Sequence, residues 1–510
     1  MRGFDIIIDE SFFMVPKHSN IPQISSGISG LDELLHGGFI QGRMYLVSGE
    51  PGTGKTTFGI HFLQKGLEDD ETVLFIHSEE SAQEILENAA QFDIDITEAE
   101  FLDLGPDSDF FTDGPSYDLV DPGDVEGERY IQTIYEAIKT IDPTRVVLDP
   151  ITQLQHVETS EHYYRKRLLS FMRFLKERNV TILATATTHD SERSDTEIRS
   201  ISDGVIELPR GDGGRRIEVV KNRGFGQIDS DHGLEIRSEG IEVFPRVFAH
   251  PNDREFDPTS LRSGITELDD LVGGGFERGT VTFISGPPGV GKTTTGAQYL
   301  TQAAVDGVKS VIYLIDERIE TFTHRCRTLG IPVDEMRAEG LLTLNVIEPQ
   351  TLSAEEFAHK VQHEVEQEGA EIVMIDSFGG YTSAIQGNQT DLKREFHTLT
   401  RYLLNNEVTV FVTDSIHQIT GLSSATSVNI SPIADNILFL SYVESNGSLR
   451  KVVGVLKKRT GGFEHTLRKF DITADGIQIG GPMAEFSGIL NGVPEETPGS
   501  RRTGESTDGR

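Results

Sequence analysis

A stretch of sequence beginning at Ser26 returns, without a gap, 237 residues later. SGISGLDELLHGGFIQGRMYLVSGEPGTGKTT becomes SGITELDDLVGGGFERGTVTFISGPPGVGKTT from Ser263, so Gly27 falls on Gly264, Asp32 on Asp269 and Lys55 on Lys292. The register persists to the next acidic pair, where Glu79 and Glu80 fall on Asp316 and Glu317. It then drifts, in keeping with an acidic Gly/Pro/Asp-rich insertion from Leu104 to Glu128 in the first copy. The copies realign at RVVLDP and EIVMID, placing Asp149 on Asp376, then at DGVIEL and DNILFL, and again at KNRG and KKRT. A repeat of this length is a whole domain duplicated, and the chain is expected to carry two equivalent sites.

Within each copy, short runs rich in Val and Ile (MYLVS, TVLFI, RVVLD, TILAT) alternate with helical stretches. In FGIHFLQKGL, for instance, Phe58, Phe62 and Leu63 share one face. Strands apolar throughout, separated by helices, specify an α/β fold whose mainly parallel sheet is covered on both faces. The expected organisation is a first domain over 1–245, a linker over 246–260, a second domain over 261–492 and a disordered tail over 493–510. The linker and tail are read from the Pro/Asp-rich FPRVFAHPNDREFDPTS and the polar, turn-rich PEETPGSRRTGESTDGR.

Each copy holds a G-x-x-x-x-G-K-[ST] loop between an apolar strand and a helix, GEPGTGKT from Gly49 and GPPGVGKT from Gly286. Glycines at Gly49, Gly52 and Gly54, and at Gly286, Gly289 and Gly291, let the backbone curl with its N–H groups turned toward phosphate oxygens, and the following helix presents its positive end. Thr53 and Thr57, like Val290 and Thr294, lie within that cradle. Lys55 and Lys292 are placed to neutralise β/γ-phosphate charge, and Thr56 and Thr293 to coordinate Mg²⁺. ATP or GTP, with Mg²⁺, is therefore the expected ligand. Asp149 and Asp376 close apolar strands, where a carboxylate completes the Mg²⁺ environment. Glu79, Glu80, Asp316 and Glu317 follow the strand after the P-loop helix, placed to orient or deprotonate an attacking water.

Acidic residues outnumber basic ones 82 to 46, for a formal charge of −36. Such a surface repels phosphate backbones and anionic lipid, which counts against a DNA motor and against membrane binding. With no Trp and one cysteine, the composition also fits a halophilic protein kept soluble where salt screens self-repulsion. Cys326 by itself excludes intrachain disulfides and cysteine-based metal clusters. The N-terminal MRGFDIIIDESFF has no basic start before a long apolar core, and no stretch is apolar enough to span a bilayer, so a cytoplasmic location is expected.

GLDELLHGG ahead of the first P-loop, the acidic pair, the Asp-terminated strand, THD at Thr188 to Asp190 and the late K-x-R segments occur in the order of the KaiC family, which the chain resembles from Ser26 to Pro494. The resemblance implies two tandem RecA-like P-loop NTPase domains, an ATP-hydrolysing regulatory protein, and a homohexameric double ring with nucleotide held between neighbouring subunits. It further implies that Lys221 and Arg223, and in the second copy Lys457 and Arg459, reach the neighbouring protomer's nucleotide as an arginine finger does. Circadian members phosphorylate an adjacent Ser-Thr pair in the second domain. Here that pair reads Ser431-Pro432, which leaves Ser431 as the candidate phosphosite and removes the second acceptor. The alternatives are a nucleotide-dependent scaffold for an unidentified signalling partner, with slow hydrolysis, and a RecA-type DNA motor. Asp316, one methylene shorter than Glu79, points to weaker water activation in the second domain.

Overall fold

The apolar runs become the centres of two sheets built to one plan. The structure, a computed structural model, describes residues 21–105, 122–152, 161–188, 195–211, 214–224, 230–248, 259–416, 432–445, 448–483, 486–487 and 495–496. It divides into two units, 1–245 and 246–510. In the first, the P-loop strand Met44–Gly49 is buried along its whole length and lies between Thr181–Thr187 and Gly204–Leu208, parallel to both. Beyond Thr181–Thr187 the parallel order continues through Arg145–Asp149, Val73–His77 and Glu100–Asp103. On the other side Gly214–Asn222, Asp231–Arg237 and Gly240–Phe244 extend the sheet antiparallel.

The second unit repeats that order strand for strand. Val281–Gly286 lies between Thr409–Ser415 and Asn436–Ser445, with Ile372–Asp376, Ser310–Leu314 and Leu342–Val346 on one side. Ser448–Lys458, Arg468–Thr473 and Gly476–Pro482 form the antiparallel side. Each sheet is mainly parallel and flanked by helices, as the strand patterning predicts.

Residues of a central strand point alternately to the two faces, so each unit holds two cores. Tyr45 and Val47 enter one, with Phe58, Phe62 and Leu63 of the P-loop helix Lys55–Glu68, while Met44 and Leu46 enter the other. In the second unit Ile284 packs with Tyr299 and Leu300 of the helix Lys292–Val305, and Phe283 packs on the opposite face. Fully burying a side chain of this kind contributes about 1.5–3 kcal/mol.

Three segments depart from expectation. Most of the acidic insertion lies outside the described residues, but its end is already helical, since a helix runs Pro122–Ile141. Proline is tolerated there because the first turn of a helix has no intrahelical acceptor for the missing N–H. The expected linker begins inside the second unit: Arg246 Nη2 lies 3.1 Å from Glu395 Oε1 and 3.7 Å from Glu355 Oε1, and Val247 joins the second unit's core. Finally, the tail read as disordered is not wholly so. Glu495–Glu496 pair antiparallel with Phe486–Ser487, a backbone ladder that needs no apolar side chain; the tail's other residues lie outside the described ones.

Candidate nucleotide sites

Both P-loops turn from a buried strand into a helix through glycines whose backbone no other residue adopts easily. Gly54 and Gly291, immediately before the helices, have φ of 102° and 120°. A Cβ there would lie 2.7 Å from Ile236 Cδ1 in the first unit and 2.4 Å from Ile472 Cδ1 in the second. The loop therefore rests directly on the antiparallel strands, which support it from behind.

Each P-loop lysine is buried and curls onto its own loop. Lys55 Nζ donates to Gly49 O at 3.0 Å and Glu50 O at 2.9 Å; Lys292 Nζ donates to Gly286 O at 3.0 Å and Pro287 O at 3.1 Å. Burial holds both ammonium groups below their usual value, opposed by Asp149 and Glu79 in the first site and by Asp376 and Asp414 in the second. At the loop apex a second cation arrives from the antiparallel side: Arg210 Nη2 donates to Gly52 O at 3.0 Å, and Lys451 Nζ to Gly289 O at 3.3 Å.

The strand-ending aspartates are brought to the threonines that follow the lysines. Thr56 Oγ1 donates to Asp149 Oδ2 at 2.7 Å, while Asp149 Oδ1 accepts from Thr185. Asp376 likewise accepts from Thr413 and from Thr293; burial pushes its carboxyl up, and the two threonine hydrogen bonds, then the charges of Arg325 and Lys292, oppose the rise. These hard oxygen donors suit Mg²⁺. No cluster of three or more His, Cys, Asp or Glu side chains that could hold a metal exists among the described residues.

The acidic pairs lie just past the strands Val73–His77 and Ser310–Leu314, and they are partnered differently. Glu80 Oε2 accepts from Asn88 Nδ2 at 3.1 Å, and its carboxyl is pushed up by burial and then by Asp149. Glu317 is gripped by Arg325, whose Nη1 donates to Oε1 at 2.8 Å and whose Nη2 lies 2.8 Å from Oε2. Burial raises the Glu317 carboxyl and Arg325 opposes the rise. Asp316 Oδ2 accepts from Ser377 Oγ at 3.0 Å.

The K-x-R residues turn toward their own unit, onto the helix Asp195–Ile201 in the first copy and the loop before Asn436–Ser445 in the second. Lys221 Nζ donates to Arg199 O and Ser200 O at 2.9 Å each, and Arg223 Nη2 to Ser200 O at 3.0 Å. Lys457 Nζ donates to Ala434 O at 2.6 Å, and Arg459 Nη1 lies 3.0 Å from Asp435 Oδ1. Ser431, His189 and Asp190 lie outside the described residues.

Sequence reasoning missed Thr185, Thr413, Asn88, Arg325, Arg210 and Lys451. A signal existed for the threonines, which occupy one position in the matched strands TILATAT and TVFVTDS. Arg210 and Lys451 offered none, for they reach equivalent carbonyls from different strands, Arg210–Gly211 and Ser448–Lys458.

The family model of the KaiC ATPase matches this chain twice, over residues 24–247 and 261–484. The chain is 28% identical over 489 residues to the circadian clock oscillator protein KaiC of Parathermosynechococcus lividus, covering 93% of this chain and 88% of that protein. It is 28% identical over 499 residues to the protein of that name from Parasynechococcus marenigrum, covering 95% of each. With that of Thermosynechococcus vestitus the identity is 29% over 505 residues, covering 94% of this chain and 95% of the relative.

Proposed function

Because this chain belongs to the KaiC ATPase family, with one family domain in each half, we propose that it binds and hydrolyses Mg-ATP at two P-loop sites, the first turning over faster than the second. The observation that carries this reading is the recurrence, in both units, of a buried P-loop lysine beside a threonine-bridged aspartate.

In the first site the P-loop backbone and Lys55 hold the triphosphate, and Thr56 with Asp149 hold the metal side of it. Magnesium, when bound, neutralises charge on the β- and γ-phosphate oxygens. Glu79, close enough to the P-loop to act on the charge of Lys55, orients the attacking water and accepts its proton; Glu80 supports it. Lys292, Thr293 and Asp376 do the same work in the second site, with Asp316 and Glu317 as the acidic pair. Lys221 and Arg223, with Lys457 and Arg459, complete the sites of adjacent subunits in a homohexamer. Lys221 and Lys457 lie on the antiparallel strands Gly214–Asn222 and Ser448–Lys458, with Arg223 and Arg459 just past their ends. Where the second domain phosphorylates itself, Ser431 is the acceptor, since Pro432 carries no hydroxyl.

Steady turnover in Lys55→Ala and Lys292→Ala full-length protein tests the assignment. Each substitution removes a phosphate clamp worth about 10²-fold at its own site, and Lys55→Ala is expected to lower total turnover more. A larger loss from Lys292→Ala sinks the ranking of the two sites.

A further inference from the structure

The two acidic pairs sit at matched positions but are held by unmatched partners. In the 237-residue register Asn88 falls on Arg325, and the structure bears out the correspondence. The helices Ala82–Ala90 and Ile319–Thr328 start from matched caps, Ser81 and Arg318, and bury matched residues, Ile85 with Ala89 and Phe322 with Cys326. From the same place on that helix, Asn88 donates one neutral N–H to one oxygen of Glu80, whereas Arg325 meets both oxygens of Glu317.

The second partner differs as well. Asp316 accepts from Ser377, which follows Asp376; the residue following Asp149 is Pro150, which has no hydroxyl to offer Glu79. Both carboxylates of the second pair are thus committed to protein donors. Arg325 Nη1 donates a charge-assisted hydrogen bond to one oxygen while Nη2 lies against the other as an ion-pair contact, a stronger partner than the neutral amide of Asn88. A carboxylate with one oxygen hydrogen-bonded to this cation and the other against it has fewer free acceptor sites with which to orient a water.

We propose that Arg325 is a positioning residue that restrains hydrolysis in the second site by gripping Glu317, making that site a holder of ATP where the first is a consumer of it. The proposal rests on the reading of both P-loops as hydrolytic sites. The grip acts on the water-activating pair and makes no hydrogen bond to the phosphate cradle, so its effect is read in turnover more than in nucleotide affinity.

The test is a reciprocal exchange in the full-length chain. Arg325→Asn, introduced with Lys55→Ala so that only the second site turns over, is expected to raise kcat about tenfold, a fraction of the ~10²–10⁴-fold that a positioned base contributes. The KM for Mg-ATP and the binding of a fluorescent ATP analogue stay unchanged. Arg325→Lys, a point cation without the fork, gives an intermediate rate. Asn88→Arg with Lys292→Ala is expected to slow the first site to a similar degree, which keeps the proposal open to refutation should Arg325→Asn fold poorly. Unchanged kcat in the reciprocal pair, or changes confined to KM, overturns it while leaving the two-site reading intact. Turnover indifferent to both Lys55→Ala and Lys292→Ala takes both down together.

Discussion

His61 shows how a single side chain can make one copy of a duplicated domain sensitive to acid. It lies on the P-loop helix, 5% exposed, and its Nε2 accepts from Ile241 N at 2.8 Å, which requires a neutral ring. Burial depresses its pKa from 6.5 to about 4. The unfolded chain takes up a proton near pH 6.5 and the folded one resists until about pH 4, so this stabilisation is complete above pH 6.5 and is lost as pH falls toward 4. At 1.36 kcal/mol per pKa unit it is worth about 3 kcal/mol at most. The counterpart in the second copy is Gln298, which does not titrate. Urea melts at pH 7.5, 6 and 5 should show that His61→Gln flattens the acid sensitivity of the first unit. At this scale the sequence disclosed residues fixed by a motif, such as Lys55, Thr56 and Asp149. It was silent on Arg325, because which side chain meets Glu317 depends on where a whole helix is set down.

Strands and helices with strong apolar patterning were legible; those that work through polar contacts were not. Met44–Gly49 and its neighbours read as buried strands because their middle residues form almost unbroken apolar runs. Arg145 begins such a strand and is 0% exposed, which no hydropathy pattern anticipates. Its guanidinium donates to both oxygens of Glu71 and to Ser25 O at 2.8 Å and Phe62 O at 3.2 Å, and lies 5.0 Å from the Phe62 ring centroid. It thereby ties the P-loop helix to the sheet. The second copy places Ile372 here. Arg145→Ile is nevertheless expected to destabilise the first unit by about 3 kcal/mol, because two buried carbonyls and Glu71 lose their donor. Chemical denaturation that follows the first unit should register it, and a change under about 1 kcal/mol would refute the structural role. The antiparallel strands Gly214–Asn222 and Asp231–Arg237 escaped notice for a related reason, since charged residues interrupt their alternation.

For the chain as a whole, duplication was the most legible property, and it fixed fold and site together. Assembly is a different matter. The net charge of −36 opposes the proposed bringing together of six copies unless nucleotide or salt offsets it. Light scattering is expected to find hexamers with Mg-ATP at high ionic strength and smaller species without nucleotide; a monomer under both conditions would sink the ring. The ion pair of Arg246 with Glu395 governs how the halves can be obtained separately. The Pro/Asp-rich stretch after it invites a cut, yet a gene fragment opening at residue 261 would discard Arg246 and Val247. That would deprive Glu355, 3% exposed, and Glu395 of a guanidinium and strip a residue from the second core. A separately expressed second half should begin before Arg246, and a protease chosen to split the protein should leave that arginine on the C-terminal fragment.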